Sequence, residues 1–232
     1  VIGSSEFQSF LDGESPMGSE STDRTSYGLN AVASGNYATA LGYEASASGY
    51  ASTASGSYTN ASGQFATALG ASANASGTGS MALGYRSDAS GIYSTALGRY
   101  SNAIGSVSTA LGHYSNASGN YSMALGSYAN ANGHFSTASG DSATASGYAS
   151  AAFGARAKAS GYGSIGLGGL ANATADYSQA FGFLATSAYT NSTAIGRSAA
   201  TTRADQIALG TANTTVTAPN LAGTGEGIIV AN

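Results

Sequence analysis

The chain has 232 residues, a net charge of −4, 34 Gly, 2 Pro, no Cys and only 8% charged residues. Disulfides and thiolate metal sites are excluded, a nucleic-acid binder lacks its basic stripe, and no apolar run of ~18 residues is present to cross a bilayer as a helix. High Gly and Ser suggest a flexible linker, but 15 Tyr and 7 Phe recur in phase and hydrophobic residues reach 42%, whereas disordered segments are poor in aromatics and keep no register.

The chain opens on Val, and no charged-then-apolar leader follows, so it reads as an excised piece of something larger. Residues 1–26 precede the regular pattern and gather Glu6, Asp12, Glu14, Glu20 and Asp23 with Pro16. Two readings stay open. Ile2, Phe7, Phe10 and Leu11 can cap the open end of a repeat array, which otherwise exposes a sheet edge, or the segment is a disordered leader.

From residue 27 to 210 one register holds. Glycine recurs every seven residues from Gly28 to Gly210, interrupted only by Ala175, Tyr189 and Arg203. Such periodicity decides the fold class before any local signal does. The full unit is 14 residues, as in NYATALGYEASASG at 36–49. One heptad of each pair carries a large apolar residue before its glycine: Leu41, Leu69, Leu83, Leu97, Leu111, Leu125, Phe153, Leu167, Phe181, Ile195 and Leu209, with Ser55 and Ser139 as lapses. The other mostly carries Ser there, with Asn60, Asn74, Asn102, Asn116 and Asn130 three residues before the glycine. Ala stands two before in nearly every heptad.

Alternate side chains of a strand point to opposite faces. Small residues at four, two and zero before the glycine therefore share a face, and two such faces close into a flattened, all-β, two-sheet parallel roll. Residues five, three and one before line the outside, polar on one sheet and Leu, Ile, Phe, Thr or Met on the other. Heptads with two apolar positions also suggest a coiled coil, but Gly costs about 1 kcal/mol per residue in a helix interior, which rules it out. Each glycine is expected to make the sharp turn after a short strand, at positive φ. The 13 units between Gly28 and Gly210, stacked ~4.8 Å apart, make a rod roughly 60 Å long.

An interior of Ala and Gly contributes little transfer free energy, while each outward Leu is worth ~1.5–3 kcal/mol if buried. A wet stripe of that length exceeds what a soluble monomer tolerates. A cyclic oligomer of this chain is the simplest cover, and the apolar residues from Leu41 to Leu209 named above are its expected interface.

STALG at 94–98, SMALG at 80–84 and NSTAIG at 191–196 resemble the NSVAIG-type repeat of trimeric autotransporter adhesin heads, the YadA-like head family, over about residues 27–210. The resemblance implies a left-handed β-roll and a homotrimer of rolls side by side, with apolar stripes meeting on the axis. It also implies display on the bacterial cell surface, above a stalk and an outer-membrane anchor that lie outside this chain. Handedness follows from the resemblance alone, since the crossover rule for parallel strands favours the right hand. Thr or Met often stands where the family favours Val, which brings a more polar group near the axis.

Past Gly210 the pattern dissolves, and Pro219 cannot donate to a ladder. Residues 211–232 are expected to end the head. The resemblance makes them the start of a neck, with GIIVA at 227–231 a short strand crossing to a neighbouring chain.

Catalytic constellations are not legible. His113 and His134 follow glycines of opposite heptad types, and Glu44, Asp88, Asp141, Asp176 and Asp205 occupy scattered slots. No Ser has a base and an orienting group that spacing places beside it, and the Gly-rich runs lack the strand-to-helix context of a phosphate loop. Neither enzyme activity, metal nor cofactor is expected. Tyr58, Tyr100, Tyr114 and Tyr128 fall five before the glycine of the polar heptads, on the solvent-facing sheet. With Asn60, Asn74, Asn102, Asn116 and Asn130 they form the candidate ligand surface; a Tyr ladder that only shields the turns is the equal alternative. Tyr37, Phe65, Tyr93, Tyr121, Phe135 and Tyr177 hold the same slot of the apolar heptads and are expected to pack at the subunit interface.

Three functions compete. The leading one is an adhesive head that meets an extracellular-matrix protein (collagen-type, as the resemblance implies), a host receptor or an abiotic surface through many weak contacts. An ice-binding solenoid needs a flat, wet Thr array, whereas Thr39, Thr67, Thr95 and Thr109 share their face with the Leu stripe and Met81 and Met123 interrupt them. A structural trimeric fibre segment, as in a phage fibre or spacer, would use the same stripe for assembly alone. Neither nucleic acid nor membrane contact is expected of these residues.

Overall fold

A computed structural model of the chain describes residues 23–212. The cap and leader readings for residues 1–22, and the expectations placed on Pro219 and on GIIVA at 227–231, lie outside the described residues. Those described form 26 short strands in two parallel sheets, with no helix among them.

One coil runs through strand Thr39–Leu41, a turn at Gly42, strand Ser46–Ala47 and a turn at Gly49, and the next coil starts with Thr53–Ser55. Strands of the first kind pair only with each other, in a 14-stranded sheet, and those of the second kind in a 12-stranded sheet. The crossover that parallel pairing demands is supplied by the other sheet's strand. Pairing keeps the sequence period: Thr95, Ala96 and Leu97 lie beside Thr109, Ala110 and Leu111, while Asn102 and Ala103 lie beside Asn116 and Ala117. The first strand is Thr25–Tyr27, so pairing starts slightly ahead of residue 27.

The two sheets face each other through alanine. Ala96 and Ala103 have no exposed surface, and among the described residues no side chain larger than Thr59 is fully buried. The roll is therefore thin, as the small-residue face implies. At one place even alanine does not fit. A Cβ on Gly166 would stand 2.7 Å from the Lys158 carbonyl oxygen of the opposite sheet, and the alanine core splits there into clusters at 38–159 and 171–199.

The glycines divide into two kinds, which corrects the expectation that all of them supply a positive-φ turn. After the three-residue strands they do: Gly42 has φ +131° and Gly98 +138°, a region closed to side-chain-bearing residues. After the two-residue strands φ is not positive. There the constraint is stacking, since a Cβ on Gly77 would lie 2.0 Å from the Gly91 carbonyl oxygen of the next coil. All three interruptions, Ala175, Tyr189 and Arg203, fall in this second kind, where no dihedral penalty applies.

A second correction concerns the slot five before each glycine. Strict alternation puts it on a strand face, but it lies in the turn, in the left-handed region, with φ +56° at Tyr58, +56° at Tyr100 and +60° at Tyr37. Such a conformation costs roughly 1–2 kcal/mol per non-glycine residue. It is offset by a ladder bond to the previous coil: the Tyr58 N–H donates to Tyr43 O at 2.8 Å and the Tyr100 N–H to Tyr85 O at 2.9 Å.

Candidate functional site

The described residues of the roll present two outer faces and two edges. On the 14-stranded sheet Leu69, Leu83, Leu97, Leu111 and Leu125 lie in register on successive strands, and Phe153, Leu167, Phe181, Ile195 and Leu209 continue the row after Ser139. Leu41 stands beyond Ser55. In one chain Leu97 is 41% exposed and Leu167 49%. The candidate interface residues thus form one apolar row, broken only at Ser55 and Ser139 and uncovered by the other described residues.

The outer face of the 12-stranded sheet carries the candidate asparagines, and most of them bond each other. Asn60 Nδ2 donates to Asn74 Oδ1 at 2.8 Å, Asn74 Nδ2 to Asp88 Oδ1 at 2.8 Å, and Asn116 Nδ2 to Asn130 Oδ1 at 3.0 Å. Asn102 Oδ1 is shut from solvent without a partner among the described residues. These amides link successive coils along the face.

The aromatics occupy the edges. Those expected at a ligand surface line the first edge, the turns that follow the three-residue strands. Tyr100 and Tyr114 stack at 4.7 Å between centroids and Tyr114 and Tyr128 at 5.3 Å, while Tyr58 meets Tyr43 edge-on at 5.2 Å. Those expected at the subunit interface line the second edge, in runs such as Tyr121, Phe135, Tyr148, Tyr162 and Tyr177. Tyr43, Tyr50, Tyr85, Tyr148 and Tyr162 complete these rows, and sequence reasoning did not single them out. Their signal was present: each directly follows a glycine of the register.

The cations are sorted as well. Between residues 28 and 200 every Lys and Arg lies on the first edge (Arg86, Arg99, Arg156, Arg197) or on the sheet face beside it (Lys158); the carboxylates are spread, with Glu44 and Asp141 on the first edge, Asp88 on the sheet face and Asp176 on the second edge. The phase was again visible, because each of those arginines falls one or two residues after the glycine of an apolar heptad. The Tyr43 phenol is pushed up to about 12, first by its hydrogen bond to Glu44 and next by one to Tyr58. His113 sits on the first edge against Tyr114 and Tyr128, and His134 on the second. No three His, Asp or Glu side chains converge among the described residues.

The family profile described as YadA head domain repeat (2 copies) matches residues 28–45, 33–59, 47–73, 61–87, 75–101, 103–129, 131–157 and 159–185, more than half of the chain. The chain belongs to the YadA head family. It is an adhesin head, a YadA-type module of the kind carried outside the cell by outer-membrane autotransporters, in a family of adhesins rather than enzymes. Among solved structures it is similar to the crystal structure of the collagen-binding domain of the Yersinia adhesin YadA, at 25% identity over 67% of this chain and 79% of that chain, with a TM-score of 0.46. No match is found among curated proteins.

Proposed function

We propose that three copies of this head pack side by side with their apolar rows on the common axis, and that the trimer attaches a bacterial cell to extracellular-matrix protein, host receptors or abiotic surfaces. The observation that carries this reading is the uncovered apolar row from Leu41 to Leu209 on one face of a rod whose other face is amide-lined. Burying Leu at ~1.5–3 kcal/mol each supplies the drive for assembly that the alanine interior does not. Three rods with repeated edges then present each contact many times, so weak contacts sum to firm attachment. The module acts by binding, with no catalytic step, from a stalk and anchor on the outer membrane. Residues 1–26 serve as cap or leader, and 211–232 lead into a neck. The test is adhesion of the purified assembly to collagen-coated, cell-coated and bare plastic surfaces, with its mass measured in solution. Attachment by a species of three chains is the expected result; a stable monomer, or no attachment to any surface, overturns the reading.

A further inference from the structure

The first edge carries four arginines, Arg86, Arg99, Arg156 and Arg197, against two carboxylates, Glu44 and Asp141, on a chain whose net charge is −4. Arg99 lies 4.8 Å from the Tyr100 ring centroid and Arg86 5.3 Å from that of Tyr85, and Arg99 Nη1 is 3.5 Å from His113 Nε2. Further along the same edge a groove of about 370 Å³ opens where the turns meet the outer face of the 12-stranded sheet. Arg156 and Lys158 place two cations on it, Leu170 and Leu184 an apolar wall, and Asn172 and Thr186 polar groups; no carboxylate lines it. Gly166 lies behind it, where the two sheets approach too closely for an alanine.

We propose that this edge binds an acidic polysaccharide, with the groove at Arg156 and Lys158 holding one carboxylate- or sulfate-bearing sugar. The inference rests on the adhesive reading above and names a ligand class for it. An Arg fork matches a carboxylate or sulfate in two bonds, while the Leu pair covers the apolar face of a sugar ring. The volume sits at the lower end of small-ligand sites, enough for a single unit. Arg99 stands four coils from Arg156, ~19 Å at ~4.8 Å per coil, within the span of one extended polymer, with Asp141 between them on the coil before Arg156. Lys158 and Thr186 project from the sheet opposite the apolar row, so side-by-side assembly leaves the groove open. A nucleic acid fits less well. Duplex DNA carries a charge every ~1.7 Å against a handful of cations here, and base stacking needs free ring faces, whereas Tyr100, Tyr114 and Tyr128 stack on one another.

The assembled protein is tested on immobilised heparin and hyaluronan, with dextran and single-stranded DNA as comparisons. Binding to both acidic glycans, none to dextran, and weakening with salt are expected. Replacing Arg156→Ala and Lys158→Ala together is expected to weaken binding about tenfold or more, by loss of charge-assisted bonds. Tighter binding to DNA, equal binding to dextran, or an unchanged double variant overturns the proposal. Titrating glucuronic acid into isotope-labelled wild-type protein removes any dependence on the variant's folding: amide shifts at Lys158, Asn172 and Thr186 are expected, and shifts confined to other residues overturn it. Adhesion of the wild-type protein to coated surfaces, measured in parallel, distinguishes failure of this proposal from failure of the adhesive reading.

Discussion

On the three-residue strands the outward pair in one coil is Thr95 and Leu97; half a coil later, on the two-residue strands, the outward residue is Asn102. Behind them the inward residues are the same, Ala96 and Ala103, both fully buried. One interior thus supports two faces of opposite chemistry. Among the described residues nothing packs on the apolar face, while the amide face bonds along the rod through pairs such as Asn60 to Asn74. Side chains that a parallel stack places one above another either share hydrogen bonds or add up to a patch. That difference separates assembly from solvation.

Breaking the apolar face should have the largest effect. Leu97→Asp removes a group worth ~1.5–3 kcal/mol on burial and puts a charge where desolvation costs several kcal/mol per ion, in every subunit. The expected outcome is loss of the oligomer, read by mass in solution. Asn102→Asp on the other face should leave the assembly intact. It places a second carboxylate beside Asp88, its ladder neighbour, and should lower stability by ~0.2–1 kcal/mol. Equal oligomer loss in both would mean that the apolar row is not the interface.

The spacing between the faces is tested at Gly166. Gly166→Ala sets a methyl 2.7 Å from the Lys158 carbonyl oxygen, and overpacking of this kind costs ~1–3 kcal/mol. Thermal unfolding should register that loss. Gly105→Ala, which meets the Gly119 carbonyl oxygen of the next coil at 2.0 Å, should cost at least as much; a neutral result at Gly166 would show that the sheets are free to part, and one at Gly105 that the coils are.

The amide face should respond next. Asn74→Ala removes one bond received from Asn60 and one given to Asp88. At ~1 kcal/mol per bond it should cost about 2 kcal/mol, measured by denaturant unfolding. An unchanged midpoint would show that these bonds do not hold the coils together.

The coil, its period and the opposite character of its faces were legible in the sequence because each depends on composition at a fixed slot. Leu41 and Asn60 fall where alternation puts them. Alternation fails at the turn, where it placed Tyr58 and Tyr100 on a sheet, because the left-handed residue there resets the direction of the chain. The two kinds of glycine were hidden for a related reason: Gly42 and Gly49 are the same letter at the same spacing, and only the backbone separates a dihedral demand from a stacking one. The groove at Arg156 draws on Leu170 and Leu184, 14 residues apart, and is visible in sequence only when successive coils are aligned.

The smallest effect expected distinguishes the sheets from inside. Before the two-residue strands the buried hydroxyls are tied to the turn: Ser101 Oγ donates to Gly98 O at 2.9 Å and Ser115 Oγ to Gly112 O at 3.0 Å. Before the three-residue strands Ser80, Ser94, Ser108, Ser122 and Ser136 bury hydroxyls with no partner among the described residues. Ser101→Ala should therefore cost ~1 kcal/mol through its lost bond. Ser108→Ala removes a hydroxyl whose burial is uncompensated and should be neutral or slightly stabilising, since unpaired burial of such a group carries a penalty of ~1–3 kcal/mol. Paired unfolding curves test both. If Ser108→Ala loses as much as Ser101→Ala, the second row of hydroxyls is bonded in solution, as Ser150 is to Gly147 O at 2.8 Å, and the two sheets differ only in what they turn outward.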